Sequence, residues 1–513
     1  MTSLTPSSAT PESVPSSSPL PADGDITSVR AALRSPRRLR TEVLAGLVVA
    51  LALIPEAISF SIIAGVDPRV GLFASVTMAI SISFLGGRPA MISAATGAVA
   101  LVIAPMMRDH GFDYLIATVL LAGVLQVILG VLGIARLMRF IPRSVMVGFV
   151  NSLAILIFLA QLPHLVHRPW LVYPLVGAGI AVMVFLPKLT KAVPAPLVAI
   201  VAVTGFVVLT SVSVPTVGDE GKLPDSLPSL FWPDVPLNLD TLRIIAPYAV
   251  AMALVGLLES LMTAKLVDDV TDTRSVKTRE ALGQGASNVI TGLFGGMGGC
   301  AMIGQTMINV RVSGARTRLS TFLAGVFLLI LVVGLGDIVG VIPMAALVAV
   351  MIMVSVGTFD WHSIRPRTLR RMPRSETTVM VSTVLVVVAT HNLAIGVVVG
   401  VVVAMVLFVR RVAHFTQVRG TDVDDTTKVY TVTGELFFAS SNDLVYQFDY
   451  VNDPARVLID LSQSHIWDAS TVATLDAITT KYERHGKRAE IVGLNASSAE
   501  RHQRLAGQLG AGY

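Results

Sequence analysis

Long apolar runs follow one another from Val43 to Ala413, and only short polar breaks separate them. A hydrocarbon core about 30 Å thick needs roughly 20 apolar residues per helix, so the pattern predicts a polytopic α-helical membrane protein. We place fourteen spans, in two sets of seven, near residues 43–64, 70–86, 90–107, 115–133, 145–162, 171–186, 194–212, then 244–264, 281–296, 300–310, 319–336, 338–357, 376–391 and 393–409.

Beyond Arg410 and Arg411 the chain becomes much more polar and its pattern changes. Strand-like VYTVTGELFF, RVLIDLS and AEIVGLN alternate with helical TVATLDAITTKYERHG and SAERHQRLAG. This alternation predicts a small soluble α/β domain that follows a boundary near residues 414–424. The predicted organisation is therefore a tail over residues 1–40, a transmembrane domain over 41–413 and an α/β domain over 424–513.

The amino-terminal segment is unlike the rest of the chain. Its first twenty residues contain fourteen Ser, Thr or Pro, a composition that cannot bury enough apolar surface to fold. Basic residues without any acid among them then precede the first apolar run: Arg30, Arg34, Arg37, Arg38 and Arg40. They indicate a cytoplasmic amino terminus, and the same side chains can contact anionic lipid.

Composition and charge agree with a membrane protein. Of the 513 residues, 53% are hydrophobic and 14% are charged, and the mean hydropathy of +0.71 excludes an ordinary soluble protein. With the amino terminus inside, the outer loops hold five Lys or Arg and the cytoplasmic loops hold eighteen. Loss of one span would invert every later loop, so this asymmetry supports the number of spans.

Two stretches share a sequence pattern in which Gly-Gly is followed by Ala-Met-Ile and then by small or polar residues. They are GGRPAMISAATGAV at residues 86–99 and GGMGGCAMIGQTMI at 295–308. Each lies in the third span of its set, and an odd-numbered repeat gives them opposite orientations. Small residues suit an extended segment that turns into a half-helix inside the membrane, where protein or a cavity covers it. Two half-helix amino termini near the midplane would form an anion site built from backbone. The alternative is close packing of two ordinary helices.

Two carboxylates lie inside predicted spans. Glu56 directly follows Pro55, and because a carboxylate at such depth costs a few kcal/mol, it should face a cavity. No basic residue lies in the same span, so we predict that Glu56 handles substrate or a proton. Glu259 is placed near the cytoplasmic end of the eighth span, with Lys265 six residues on. It is a second candidate for proton coupling, or else forms a structural pair.

Enzyme chemistry has little support in the chain. Cys300 is the single cysteine, which excludes an internal disulfide and a multi-cysteine metal site and favours simple packing beside glycines. No catalytic constellation or metal-ligand cluster is visible among the spans. We therefore expect neither an enzyme, a metal nor a cofactor.

Three stretches of the predicted membrane domain are distinctive. They are IPEAISFSIIAGVDPRVGLFAS, IPRSVMVGFVNSLAILIFLAQL and the segment from LVGLLESLMTAKLVDD to GGMGGCAMIGQTMINVRVSGARTRLS. These stretches resemble the SulP, or sulfate permease, family of anion transporters. The carboxy-terminal KVYTVTGELFFASSNDLVYQF and ARVLIDLSQSHIWDASTVATLDAITTKYERHGKRAEIVGLN resemble that family's STAS domain. The resemblance implies two inverted seven-span repeats, the fold of uracil and xanthine permeases. A core domain would move against a gate domain, with substrate between spans three and ten.

By this resemblance, Glu56 stands where the family commonly has Gln or Glu, and Phe60 matches an aromatic residue that lines the anion pocket. Ala94 and Ala95 stand at the start of the first half-helix. Many relatives read Ser-Arg-Thr-Ala in the tenth span, and the corresponding residues here are Gly304, Gln305, Thr306 and Met307. The arginine is therefore replaced by a neutral amide.

The STAS domain also departs from its relatives. In the anti-sigma factor antagonists that it resembles, the phosphorylated serine directly follows an aspartate, whereas here Ala469 follows Asp468 and Ser470 comes next. Phosphorylation at that position is excluded, which leaves Ser470 as an alternative acceptor. We expect the domain to bind a cytoplasmic protein or to support folding.

Together these features predict a proton-coupled anion symporter that works by alternating access. Without the arginine, dicarboxylates or bicarbonate are favoured over sulfate, and H⁺ is favoured over Na⁺. We expect a homodimer in the bacterial inner membrane, in contact with lipid, with the amino terminus and STAS domain in the cytoplasm and no nucleic-acid partner. The alternatives are sulfate uptake or anion exchange, and an anion channel of the same fold. A nucleobase permease is disfavoured, because that group generally lacks a STAS domain.

Overall fold

The structure is a computed structural model that describes residues 27–133, 141–189, 194–221, 226–334, 336–413, 416–441 and 443–508. The predicted tail up to residue 26 lies outside these ranges, as do several charged residues of the predicted loops, namely Arg136, Arg139, Lys191, Lys222 and Asp225. The described residues fall into two compact units, one within Met1–Met372 and Met380–Val399 and the other within Pro373–Val379 and Gly400–Tyr513.

Helical segments occur at all of the predicted spans. In the first half they are α1 Val29–Arg34, α2 Pro36–Ala64, α3 Pro68–Leu85, α4 Gly97–His110, α5 Phe112–Val131, α6 Arg143–Gln161, α7 Val172–Leu189 and α8 Ala195–Thr210. In the second half they are α9 Leu239–Thr271, α10 Lys277–Leu293, α11 Ile303–Met307, α12 Arg318–Gly334, α13 Gly336–Gly340, α14 Met344–Thr358, α15 Pro366–Arg371, α16 Arg374–Thr390 and α17 Leu393–Ala413.

Length and composition identify seven helices in the described part of the chain that can each cross a membrane. They are α2, α3, α5, α6 with the turn that follows it, α7, α9 and α17. The apolar helices α8, α12 and α14 are shorter. The polytopic helical fold class is confirmed, and the number of fourteen crossings stays a prediction.

Helix packing has an internal symmetry. The helix α2 packs on α12 and α4, and its counterpart α9 packs on α5 and α11. Likewise α3 packs on α12, as α10 packs on α5, and α4 meets α9 as α11 meets α2. Exchanging the two halves therefore preserves the contacts, as expected of two related repeats. The helices α6, α7, α8 and α14 form a second packed group.

Close helix crossings explain part of the small-residue content. A Cβ atom added to Gly123 of α5 would lie 2.8 Å from the carbonyl oxygen of Gly285 in α10. A Cβ atom on Gly285 would lie 2.7 Å from the oxygen of Gly123. Glycine at both positions thus allows two backbones to touch, which is a common way to pack helices in a membrane.

Two buried carboxylates accept hydrogen bonds from backbone N–H groups of other segments. The two carboxylate oxygens of Glu42, on α2, accept hydrogen bonds from the backbone N–H groups of Arg316, Thr317 and Ser320 at 2.9–3.2 Å. On α10, Glu280 Oε2 accepts from the N–H groups of Gly87 and Arg88. Anions stabilise the unpaired N–H groups at the start of a helix, so Glu42 caps α12. The hydrophobic pattern alone singled out neither residue.

The two similar stretches form matching discontinuous segments. Strands β1 (Ser93–Ala94) and β2 (Cys300–Ala301) pair in antiparallel orientation, with Ser93 opposite Ala301. Each strand leads into a helix, α4 after β1 and α11 after β2, and α11 continues as a π-helical turn over Ile308–Val312. Extended backbone is present, so the alternative of two ordinary packed helices is wrong.

The start of the first half-helix needs correction. Ala94 belongs to β1, Ala95 follows it, and α4 begins at Gly97. The reason is the N-cap at Thr96, whose hydroxyl accepts a hydrogen bond from the Val99 N–H at 3.3 Å.

The carboxy-terminal domain is a four-stranded sheet in the order β3–β4–β5–β6. Its strands are β3 Gln417–Asp424, β4 Thr427–Leu436, β5 Arg456–Ile466 and β6 Arg488–Val492, and its helices are α18 Phe438–Ser441, α19 Ala469–Arg484 and α20 Ala496–Leu505. The pair β3–β4 is antiparallel, whereas β4–β5 and β5–β6 are parallel. The sheet thus begins at Gln417, before residue 424, where the sequence placed the domain start. The sequence pattern did not indicate β3, because this exposed edge strand lacks an apolar alternation.

A buried acid organises the interior of this domain. Asp453 accepts hydrogen bonds from the hydroxyls of Tyr430 at 2.8 Å and Tyr482 at 2.6 Å, and from Lys428 Nζ at 2.9 Å. Burial, reinforced by the bond to Asp453, raises the pKa of Tyr482. Burial also raises the pKa of Tyr450 to about 12.

Asp468 has a structural role at the start of α19. One of its carboxylate oxygens accepts from the Thr471 N–H at 3.0 Å and the other from the Phe438 N–H at 2.6 Å. Ser470 is exposed in the first turn of the helix.

Candidate functional site

A cavity of about 590 Å³ opens beside the second half-helix. One wall is α2, from Arg37 to Glu56, and the opposite wall is the segment from Gln305 to Ser313. The beginning of α8 closes a third side with Pro194 and its neighbours. A cavity beside Glu56 is what the depth of this carboxylate predicts.

Glu56 and Gln305 meet within this cavity. The Nε2 atom of Gln305 donates a hydrogen bond of 2.7 Å to Oε1 of Glu56. The Gln305 side chain is 2% exposed, and its Oε1 atom is buried without a hydrogen-bond partner among the residues that the structure describes. A buried amide oxygen without a partner costs about 1–3 kcal/mol, so the site favours a donor that reaches it.

Open space also adjoins the start of the second half-helix. Gly304 is exposed, and a Cβ atom added there would meet no described side chain or neighbouring backbone within 4 Å. The first turn of α11 thus has room beside it for a small molecule.

Phe60 lies one helical turn beyond Glu56 and packs in the interior. It is 3% exposed, and its Cε1 atom lies 2.9 Å from the position that a Cβ on Gly97 would take. The ring therefore covers the first turn of α4 and does not line the open cavity.

The other predicted site residues are buried where the two discontinuous segments cross, around the paired strands β1 and β2. Ala94 and Ala95 are buried, and the Ala95 N–H donates to Ser75 Oγ at 3.2 Å. Thr306 is also buried, and its hydroxyl accepts from the Ile92 N–H at 3.0 Å. The structure thus brings Glu56 and Gln305 together and leaves these three residues in the surrounding framework.

Glu259 lies beside β2, within the long helix α9, and its predicted position near the cytoplasmic end of its span stays a prediction. The helix α9 continues to Thr271, and Lys265 pairs with Asp269 at 2.7 Å. Glu259 is 6% exposed, and its Oε2 atom accepts a hydrogen bond of 2.9 Å from the thiol of Cys300. The sulfur also lies 3.1 Å from Thr96 Oγ1. Cys300 therefore links a carboxylate to the first half-helix, beyond the packing role that its small size suggested.

Polar residues on α10 support the same crossing, and sequence reasoning missed them. The Asn288 amide donates to the Gly299 carbonyl at 3.0 Å and to Gln126 Oε1 at 2.9 Å, and it accepts from the Gly299 N–H at 2.8 Å. Gln284 donates to Ser93 Oγ at 2.6 Å. The available signal was amides four residues apart in a predicted span, a spacing that places them on one helix face.

Metal-binding groups are not apparent in the described ranges. No cluster of three or more His, Cys, Asp or Glu side chains there is arranged to hold a metal ion.

Comparisons with known proteins agree with this architecture. Residues 39–170 and 170–383 match the sulfate permease family, and residues 419–507 match the STAS domain. The "Putative sulfate transporter YbaR" of Bacillus subtilis is 52% identical over 468 residues, which are 91% of this chain and 97% of that protein. The bicarbonate transporter BicA of a Picosynechococcus species is 25% identical, with 91% of each chain covered.

A solved structure supports the fold. The overall structure of SLC26A9 superposes with a TM-score of 0.77 at 14% identity, over 94% of this chain and 89% of that one. At this identity the likeness concerns the fold alone. The match to both domains and the high identity to a full-length relative lead to one conclusion: the chain belongs to the sulfate permease family and carries a STAS domain, which makes it a multi-pass membrane transport protein and not an enzyme.

Proposed function

We propose that this protein is a secondary active transporter that moves a small carboxylate-type anion, a dicarboxylate or bicarbonate, together with a proton. The observation that carries the proposal is the hydrogen bond from Gln305 to Glu56 in the cavity beside the second half-helix. It joins a titratable group to an amide whose N–H groups suit an anion.

The charges along the cavity explain why a proton would be needed. Among the described lining residues, the cations are Arg37 and Arg40, and Glu56 is the one carboxylate. The half-helix amino termini supply about half a positive charge each. An ionised Glu56 would repel an entering anion, so protonation of Glu56 would favour anion binding.

The amide of Gln305 offers a direct link between proton and anion. In the observed pairing its N–H₂ group donates to Glu56, while its oxygen has no partner in the described part of the chain. A protonated Glu56 can instead donate to that oxygen after the amide turns over. The N–H₂ group would then be released towards an anion in the cavity. Binding of a proton and of an anion would thus favour each other.

Substrate choice follows the same charge count. Without an arginine at position 305, the two half-helix termini supply about one positive charge, which balances a monovalent anion such as bicarbonate once Glu56 is protonated. A dianion leaves one further negative charge, so it would bind only with Glu56 protonated. Sulfate uptake is the second candidate, since the relative at 52% identity carries a sulfate transporter name. Anion exchange and channel-like conduction are the remaining alternatives.

Glu259 is the second group proposed to handle a proton. Its carboxylate lies beside both half-helices through Cys300 and Thr96. A change in its protonation would therefore act on the crossing. We further propose a homodimer in the bacterial inner membrane, with the amino terminus and STAS domain in the cytoplasm, by likeness to the family.

Uptake into proteoliposomes tests the proposal. Purified protein would be assayed with radiolabelled bicarbonate, succinate and sulfate, with and without an inward proton gradient. We expect saturable accumulation of succinate or bicarbonate that the gradient increases. Accumulation of sulfate alone would replace the proposed substrate, and large conductance without accumulation would indicate a channel.

A further inference from the structure

We infer that Arg37 and Arg40 form an anion-attracting vestibule at the mouth of the cavity and draw small anions towards Glu56 and Gln305. The inference rests on the proposed function, since it assumes that the anion passes through this cavity. It assigns a role in anion entry from the amino-terminal side, which is the release side during uptake, to two residues of a basic segment that the sequence alone assigns to membrane topology.

Two of the five arginines line the cavity and three do not. Arg30 and Arg34 belong to the short helix α1, Arg38 belongs to α2, and none of these three lines the cavity. Arg37 and Arg40 lie three residues apart at the beginning of α2, so they share one face of that helix, and both line the cavity. Their exposure, compared with the half-buried Glu56, puts them at its open end.

These two guanidinium groups are available to an incoming anion. Within the described ranges, neither side chain forms an ion pair with Asp or Glu at 4.0 Å or less. Among the described lining residues the one carboxylate is Glu56, which is sixteen residues beyond Arg40 along α2. This separation corresponds to about 24 Å at 1.5 Å per residue. The mouth is therefore positively charged, and its charge is not neutralised by the acid at the inner end.

Distance decides what the arginines do. At physiological ionic strength the Debye length is about 8 Å. An anion bound beside Glu56 would be about 24 Å away along the helix, so the arginines would act little on it. They act instead on an anion at the entrance, where low-dielectric walls concentrate the field and raise the local anion concentration. Their contribution should therefore appear in the apparent KM and its salt dependence, and not in the turnover number.

The test compares two double variants that remove the same charge. Arg37→Gln with Arg40→Gln neutralises the vestibule, and Arg30→Gln with Arg34→Gln is the matched control from the same basic segment. Initial rates would be measured in proteoliposomes of zwitterionic lipid, and again in vesicles that also contain anionic lipid. Radiolabelled succinate, bicarbonate and sulfate would be added on the amino-terminal side. Protease accessibility of the amino-terminal segment would establish the orientation. A bulky organic salt would set the ionic strength at about 0.01 M or about 1 M, where the Debye length is about 30 Å or 3 Å.

We expect the vestibule variant to raise KM about threefold to tenfold at low ionic strength, within the range of electrostatic steering. The effect should vanish at high ionic strength, with kcat unchanged and the control variant like the wild type. Equal KM values for both variants would overturn the inference. An effect that appears only in vesicles with anionic lipid would also overturn it, because the arginines would then bind lipid phosphate. If the wild type transports none of the three anions, the proposed function fails instead.

Discussion

The amide nitrogen of Gln305 lies 2.7 Å from a carboxylate oxygen of Glu56, although 249 positions separate the two residues. The bond connects α2 of the first repeat to the discontinuous segment of the second repeat. A movement of the second half-helix relative to α2 would break it. We therefore expect this hydrogen bond to change both when Glu56 is protonated and when an anion binds.

Substitution Glu56→Gln should remove proton coupling while the fold is retained, because Gln has nearly the same shape and can still bond to Gln305. Uptake of succinate or bicarbonate should fall to the rate that the wild type shows without a proton gradient. The measurement is initial uptake with and without that gradient. Glu42→Gln is the matched control, since Glu42 is a buried carboxylate that caps α12. Unchanged gradient dependence in the Glu56 variant would rule out this residue as the proton carrier.

Substitution Gln305→Arg should tighten anion binding and extend it to higher pH. A positive charge in a poorly solvated cavity interacts more strongly than in water, and a tenfold gain corresponds to about 1.4 kcal/mol. Turnover should fall, because stabilising the loaded state alone slows release. Anion affinity against pH, measured beside the transport rate, checks both effects, with Gln305→Met as the neutral control. If the arginine variant keeps wild-type affinity and pH profile, Gln305 does not face the anion.

Two glycines of the second discontinuous segment should respond differently to alanine. A Cβ on Gly299 would clash with the Ala94 carbonyl oxygen, whereas one on Gly304 would meet open space. Gly299→Ala should therefore destabilise the protein by about 1–3 kcal/mol, the usual cost of overpacking. Gly304→Ala should melt like the wild type but bind anion more weakly. Thermal unfolding and anion affinity distinguish them, and equal stability of the two variants would contradict the close approach of the strands.

Removal of the STAS domain after Ala413 should leave anion selectivity unchanged. Every residue proposed to contact the anion lies before Ser313, and the carboxy-terminal sheet has its own apolar core. Yield or transport rate should decrease if the domain assists assembly. The ratio of succinate, bicarbonate and sulfate uptake in truncated and full-length protein is the appropriate measurement. A changed ratio would show that the domain influences the substrate site.

Much of the fold is encoded locally. The length of each apolar run must match the bilayer, so helices appear near all predicted spans, and two similar glycine-rich stretches became the two discontinuous segments. Helix starts and edge strands, which depend on local hydrogen bonds or on a neighbouring strand, were harder to predict from the sequence. The N-cap at Thr96 moved the start of α4 beyond Ala95, and the exposed strand β3 carried no apolar alternation that could announce it.

The sequence by itself determined that this is a polytopic membrane protein of two related halves, with a STAS domain and with a carboxylate, Glu56, that has no basic residue in its own span. These properties follow from run length, composition and motif, which need no knowledge of distant contacts. Only the tertiary structure decided that Glu56 pairs with Gln305, that Glu259 meets Cys300, and which arginines line the cavity. Each of these depends on residues that are remote in the chain, or on the face that a helix turns towards its neighbours, and packing of the whole domain sets both.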